Sequence, residues 1–184
     1  MKGLRAAALG LALALAAPAE AAPRVRVGLY ENSPKVGLSA AGRPEGIFVD
    51  ILEAIARNEG WDLEWVPGTW SEGLARLEAG GIDLMPDAAP IGEREAIFAF
   101  HREPVLSSWN QVFARRGSGI RALPGLEGRR VAVLEDSIQE RQFKGLVASF
   151  GMDVAVGAFP AFATAFRPAA AGRADAVVAN RFSG

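Results

Sequence analysis

The chain has 184 residues, no cysteine and one histidine, His101. Without cysteine there is no disulfide framework and no thiolate chemistry. With one histidine there is no histidine cluster for zinc or a haem pair. Charge of one sign is also lacking. The 20 Lys and Arg stand against 21 Asp and Glu, a formal charge of −1, which leaves no nucleic-acid footprint. Past the amino terminus no apolar run is long enough to cross a bilayer. No nucleophile–base pair and no phosphate-binding glycine loop is visible. The only candidates for acid–base work are Glu31, Asp87 and His101, and His101 follows the apolar Phe98-Ala99-Phe100, a structural setting. The sequence therefore predicts no metal, no cofactor and no enzyme activity.

What remains is a chain that is half apolar, enough for a real core. Met1 to Ala21 reads as a cleavable signal peptide. Lys2 and Arg5 start it, an apolar run around Leu11 to Ala17 follows, and Ala19-Glu20-Ala21 is a small-x-small cleavage site. The alternative is an uncleaved anchor or a buried helix. With cleavage the chain is exported, to the periplasm.

The mature part reads as α/β. Arg24 to Tyr30 alternates as a strand and turns at Asn32-Ser33-Pro34. Phe48, Ile51, Leu52, Ile55 and Ala56 have helical spacing, stopped by Gly60. Asp62 to Val66 is the next strand. Thr69-Trp70-Ser71-Glu72 is a capping-box pattern that opens a helix. Ile82 to Met85 follows two glycines as a buried strand. This is β-α-β-α-β, the unit of a parallel sheet. The second half repeats the order. Arg130 to Leu134 is a strand, Ser137 to Glu140 a capping box, and Asp153 to Val156 a strand. A helix begins near Pro160 and is kinked or shortened by Pro168. Ala174 to Ala179 closes the sheet, with Asn180 at its end. Ala79-Gly80-Gly81-Ile82-Asp83 is echoed by Ala171-Gly172-Arg173-Ala174-Asp175. The expected organisation is a first α/β lobe over 22–113, including a crossover strand, and a second over 114–184, with a ligand cleft between them.

The central stretch runs from Gly80 to Arg94. Pro86 ends its strand, so Asp87 falls at a carboxyl end, where open α/β sheets present groups to ligands. Arg94 can return to the same mouth. A guanidinium there suits a planar carboxylate, gripped by two parallel hydrogen bonds. Spacing alone is equally compatible with Asp87 and Arg94 pairing with each other or with solvent.

These residues resemble the type II periplasmic solute-binding fold. Gly46 to Ile51, Ile82 to Arg94 and Gly172 to Asn180 carry the resemblance. More narrowly, Leu84-Met85-Pro86-Asp87 with Glu103-Pro104-Val105-Leu106-Ser107-Ser108-Trp109 is similar to periplasmic sensor domains of bacterial histidine kinases and diguanylate cyclases. The resemblance implies that Arg94 grips a ligand carboxylate, and that Asp87 is a polar first-lobe contact. Ala89 departs from the polar residue usual at its position. Ser137 matches a second-lobe hydroxyl at a helix start, which can bind an anion or simply cap the helix. Asn180 stands where an aspartate usually meets the ligand's ammonium. Tyr30, Trp70 and Trp109 either wall the pocket or pack elsewhere.

The resemblance thus implies a small anionic or zwitterionic solute, a carboxylate or amino acid. Its holder is expected to be the sensory input of a membrane signalling protein, or alternatively the soluble solute-binding component of an ABC-type transporter. In such folds the chain returns to the first lobe after the strand ending at Asn180. This chain stops at Gly184 and reads as an amino-terminal fragment. For the ligand's ammonium two branches stand. Either Asp87 has taken over that contact, the favoured branch, or the ligand has no ammonium.

Overall fold

A computed structural model describes residues 21–183. The signal peptide expected over residues 1–21 lies outside the described residues, apart from Ala21. Among the described residues no helix is long and apolar enough to cross a membrane.

The first lobe keeps the predicted order of elements up to Glu78, but on its first helix Val49 is buried while Ile55 is 38% exposed. β1 (Arg24–Leu29) leads into a small hairpin, β2 (Gly37–Leu38) and β3 (Pro44–Glu45). α1 (Ile47–Glu59) buries Val49 and Ala56 and stops at Gly60, whose φ of 70° is the left-handed geometry glycine adopts without a Cβ clash. β4 (Asp62–Pro67) then lies parallel to β1. α2 (Trp70–Glu78) opens on the predicted capping box: Glu72 N donates to Thr69 Oγ1 at 3.2 Å, and Thr69 N to Glu72 Oε2 at 2.8 Å.

The predicted strand over Ile82 to Met85 is reduced to one parallel bridge between Val27 and Leu84. Gly28 N donates to Leu84 O at 2.9 Å, but Pro86 has no N–H with which to extend the ladder. The segment is nevertheless tightly held. A Cβ on Gly28 would collide with Met85 Sδ, and one on Gly73 would lie 2.5 Å from Met85 Cε. Two glycines, on β1 and α2, thus make room for Met85. The chain then turns at Asp87 into α3 (Gly92–Glu95), a single helical turn that carries Arg94.

Residues 96–109 lead into β5 (Asn110–Ala114), β6 (Arg130–Leu134), α4 (Ile138–Ser149), β7 (Ala155–Phe159), α5 (Phe162–Ala170) and β8 (Ala176–Asn180). The strands form one sheet of order β5-β8-β6-β7, with β5 antiparallel. The crossover strand is therefore hydrogen-bonded into the second sheet, although the sequence reading grouped residues up to 113 with the first lobe. Every residue of β8 is buried, so this apolar strand needs a partner on each side, and β5 supplies one. β7 starts two residues later than expected, because Asp153 is spent in a loop where its carbonyl accepts from Gly128 N at 2.7 Å. α5 runs through Pro168 to Ala170.

The second sheet buries both faces by simple alternation. Val131, Val133, Ala176 and Val178 pack with Phe143 and Val147 of α4. Ala132, Leu134, Val177 and Ala179 pack with Phe162, Ala165 and Ala169 of α5. That second cluster also contains Tyr30, Val36 and Trp70 of the first lobe, so the two lobes are in apolar contact.

The internal echo has a geometric counterpart. Asp83 accepts from Arg26 N at 2.8 Å, Nε at 3.0 Å and Nη2 at 2.8 Å. Asp175 accepts from Arg130 N at 2.9 Å and Nε at 3.3 Å. Each aspartate ties its segment to an arginine of a core strand, Arg26 in β1 and Arg130 in β6. The hydrogen bond from the Arg26 side chain, chiefly, holds the Asp83 carboxyl down to about 2. In the unfolded chain that proton binds near pH 4. The pair therefore supports the fold above about pH 4, and that support is lost as pH falls toward 2. Acid unfolding followed by circular dichroism is expected to show a shallower loss in this window for Asp83→Asn. An unchanged slope would show that the pair does not couple to folding.

Candidate functional site

The site lies where the two lobes meet, and it grows from the carboxyl ends of their strands. Tyr30 follows β1, and its ring lies 5.0 Å from that of Trp70, the first residue of α2. Arg94, only 6% exposed, places its guanidinium 5.1 Å from the Trp70 ring centroid. Such a cation over an indole face is attracted by the ring quadrupole. Burial, and then the charge of Arg141, lower the affinity of this guanidinium for its proton below the ordinary arginine value.

Arg94 does not pair with Asp87. Its Nη2 crosses to the second lobe and donates to the carbonyl of Asp136 at 2.9 Å, and Trp70 Nε1 donates to the same oxygen at 3.2 Å. Two further contacts join the lobes: the ion pair of Glu93 with Arg141, and Ser183 Oγ to Asn32 Oδ1 at 3.1 Å. The Glu93–Arg141 side chains are largely exposed, so water screens that pair.

One oxygen of Asp87 is occupied from within its own lobe. Its Oδ2 accepts from Tyr30 OH at 2.8 Å and Asn32 Nδ2 at 2.7 Å, and forms an ion pair with Lys35. Lys35 is 5% exposed. Asp87 and Asp136 are the only non-glycine residues among those described with φ in the left-handed region, at 61° and 54°. One lies on each side of the junction. Aspartate tolerates this conformation better than most residues, but backbone strain of this kind gathers at functional sites.

The second-lobe residues divide. Ser137 caps α4: its Oγ accepts from Glu140 N at 3.1 Å and donates to Leu134 O at 2.6 Å. The capping box is only half formed, since Glu140 Oε2 takes Asp136 N at 2.8 Å instead. Asn180 is 3% exposed. Its Oδ1 accepts from Phe182 N at 2.9 Å, while its Nδ2 is buried with no partner among the described residues. Trp109 stands outside the aromatic cluster, 58% exposed and covered by Arg181 at 4.2 Å. Glu31 accepts from Ser33 N in an exposed turn, and His101 Nδ1 contacts Glu103 O at 2.5 Å on the surface. Neither belongs to this group.

Lys35, Asn32 and Asp136 escape the sequence reading. Lys35 follows Pro34 in the turn after β1, and that placement alone puts it at the same mouth as Tyr30. A groove of about 520 Å³ lies elsewhere, beside β6 and β7, lined by Val131, Val156, Gly157, Phe159 and Pro168. It is largely apolar, and Arg130 in its lining is already tied to Asp175.

Tyr30 is the only tyrosine in the chain, which makes it a reporter for the site. Burial, and then the charge of Asp87, raise its hydroxyl well above the usual value near 10. The fold keeps the neutral form, so this contribution holds below about pH 10 and is lost as pH rises through the native value. Absorbance at 295 nm is expected to show phenolate forming late, together with alkaline unfolding. Asp87→Asn should bring it earlier. Free titration near pH 10 in the native protein would mean that the Tyr30–Asp87 bond does not form.

Two α/β lobes meeting over a buried arginine and an aromatic pair define a two-lobed solute-binding protein of the type II periplasmic fold. The chain belongs to the bacterial extracellular solute-binding proteins, family 3, whose profile matches residues 25–176. It is 26% identical over 182 residues to the putative amino-acid ABC transporter-binding protein PatH of Vibrio harveyi, an alignment covering 98% of this chain and 71% of that protein. It is 26% identical over 107 residues to the arginine-binding extracellular protein ArtP of Bacillus subtilis (strain 168), covering 58% of this chain and 42% of that one. The solved structure of an ancestral arginine-binding protein bound to arginine aligns with a TM-score of 0.81 at 26% identity, covering 89% of this chain and 73% of that one.

Proposed function

We propose that the chain is an exported, periplasmic solute-binding protein that takes a small carboxylate-bearing solute of the amino-acid kind and presents it to an ABC-type transporter. The observation that carries this reading is Arg94. A buried guanidinium that reaches across the lobes to a lone carbonyl is placed to grip a carboxylate in the same position. Tyr30 and Trp70 wall the site, the start of α4 at Ser137 faces it, and Asn180 closes it from the second lobe. Binding needs no chemistry. A solute that contacts both lobes only when they are closed shifts the population toward closure. The relatives, which include a transporter-binding protein, favour this role over the sensory input suggested by Glu103 to Trp109. Trp109, exposed and stacked with Arg181, is proposed as a rim contact at most.

The test is a thermal-shift screen of carboxylates and amino acids on the exported chain. A ligand of the native state alone raises the midpoint by mass action, by about 2.7 kcal/mol of stability at a hundred times its Kd. If no carboxylate shifts the midpoint at millimolar concentration, the reading fails.

A further inference from the structure

The turn between β6 and α4 presents one main-chain oxygen to two groups of the other lobe. Arg94 Nη2 and Trp70 Nε1 both donate to the carbonyl of Asp136, at 2.9 and 3.2 Å. A carbonyl oxygen has two lone pairs and can accept both. Asp136 points its carbonyl this way with a φ of 54°, in the left-handed region. The turn is fixed from behind. Glu140 Oε2 accepts from Asp136 N at 2.8 Å, and Glu140 Oε1 is held by Lys144 Nζ at 2.7 Å. Ser137 Oγ donates to Leu134 O at 2.6 Å. The reciprocal half of the capping box is thus spent one residue early, on the residue whose carbonyl crosses to the first lobe. The bond to Arg94 runs to the main chain of Asp136 and not to its carboxylate. The seam around it is apolar: Tyr30 and Trp70 share one buried cluster with Leu134 and Ala179 of the second lobe. Hydrogen bonds in such a place are stronger than at a wet surface. Arg94 also keeps donors in hand, since a guanidinium has five N–H groups and Asp136 takes one.

We infer that Asp136 is a latch between the lobes and a positioning residue for Arg94: its left-handed turn presents a carbonyl that Arg94 and Trp70 grip together, which draws the lobes together through the protein's own groups and aims the remaining guanidinium donors. The aiming of Arg94 rests on the carboxylate-binding reading above; the latch itself does not. The role belongs to the backbone. It therefore follows from which residues tolerate a positive φ, not from the charge of the side chain.

The experiment varies that tolerance on the exported chain. Glycine adopts the left-handed region freely and asparagine readily, whereas proline is locked at a φ of about −65° and cannot present the carbonyl. The readouts are hydrogen exchange at Trp70 Nε1, followed in a nitrogen-15 spectrum, and small-angle scattering. The chain has four tryptophans, and Trp70→Phe assigns the indole signal of interest. Exchange at Trp70 should be slow in the parent, and Asp136→Gly and Asp136→Asn should keep both that protection and the parent's scattering profile. Asp136→Pro should speed the exchange by at least about ten-fold, the factor of one ordinary hydrogen bond, and give a more open mean shape. Fast exchange in the parent, or a folded Asp136→Pro with the parent's exchange and shape, would overturn the latch. So would an Asp136→Asn as fast and open as Asp136→Pro, since the side chain would then be what matters. If Asp136→Pro does not fold, Asp136→Val carries the same comparison, because a β-branched residue is a steric outlier at this φ. Calorimetry with L-glutamate, L-glutamine and L-arginine as probes reads the aiming of Arg94. Whichever binds the parent should bind Asp136→Pro at least about ten-fold more weakly, and Asp136→Asn nearly as well as the parent. Unchanged affinity in a folded Asp136→Pro would overturn the positioning role. If none of the three binds, that counts against the carboxylate reading, while exchange and scattering, which need no solute, still decide the latch.

Discussion

Arg94→Ala is expected to abolish measurable solute binding while leaving the far-ultraviolet circular dichroism native. Truncating a desolvated charged partner costs about 2–5 kcal/mol of affinity, or roughly thirty-fold to several thousand-fold. Arg94 is 6% exposed and held against Trp70, so its side chain gives up little further freedom on binding. Arg94→Lys should also lose most of the affinity, since an ammonium cannot form two parallel hydrogen bonds to one carboxylate. The unliganded protein should respond as well. Arg94 and Trp70 share the Asp136 carbonyl, and the alanine variant removes one of the two direct bonds to it. Small-angle scattering of the unliganded variant should therefore show a more open mean shape. Wild-type affinity in Arg94→Ala would remove the residue from the site, whatever the scattering shows.

The parts of this molecule that follow a period were legible in the sequence. The alternation of Val131 to Leu134 survives as the two faces of a packed strand, whereas of the helically spaced Phe143, Leu146, Val147 and Phe150 only Phe143 and Val147 are buried. The Thr69–Glu72 capping box was legible because both of its bonds are local. Local pattern failed where distant chain decides. Ile82 to Met85 has a strand's composition but only one bridge, because Pro86 and the packing of Met85 against Gly28 and Gly73 set its length. β5 reads as a crossover in sequence, yet its hydrogen bonds go to β8, more than sixty residues on.

The same division holds at the site. Asp87 and Arg94 could be picked out because they stand at or near a strand end, while Tyr30 and Trp70 came with the resemblance. Who pairs with whom could not. The partner of Asp87 is Lys35, 52 residues earlier, and the partner of Arg94 is a backbone carbonyl, a group that every residue carries. A side chain's acceptor can be guessed from charge. A main-chain acceptor presented by an aspartate in the left-handed region leaves no mark in composition or spacing.

The second large effect concerns that hidden pair. Lys35→Met keeps most of the length and apolar stem of the side chain but strands Asp87, whose side chain is 12% exposed. Breaking a buried ion pair from one side costs about 3–5 kcal/mol, because the remaining charge is left in a poorly solvating place. Tyr30 OH and Asn32 still donate to Asp87, so the loss should lie toward the lower end of that range. For a chain of this size it corresponds to a fall in Tm of about 6–12 °C. Asp87→Asn alone strands the ammonium instead and should also destabilise. The double variant Lys35→Met with Asp87→Asn removes both charges and should recover much of the loss, since a buried pair is often worth little against a neutral replacement. Denaturant unfolding of all four proteins gives the coupling energy directly. A coupling near zero, with each single variant as stable as the parent, would show that Lys35 and Asp87 do not meet. The binding data then add a separate reading. If Lys35 is what lets Asp87 stand beside a carboxylate-bearing solute, the Lys35→Met protein that remains folded should bind that solute more weakly, and the added Asp87→Asn change should restore it.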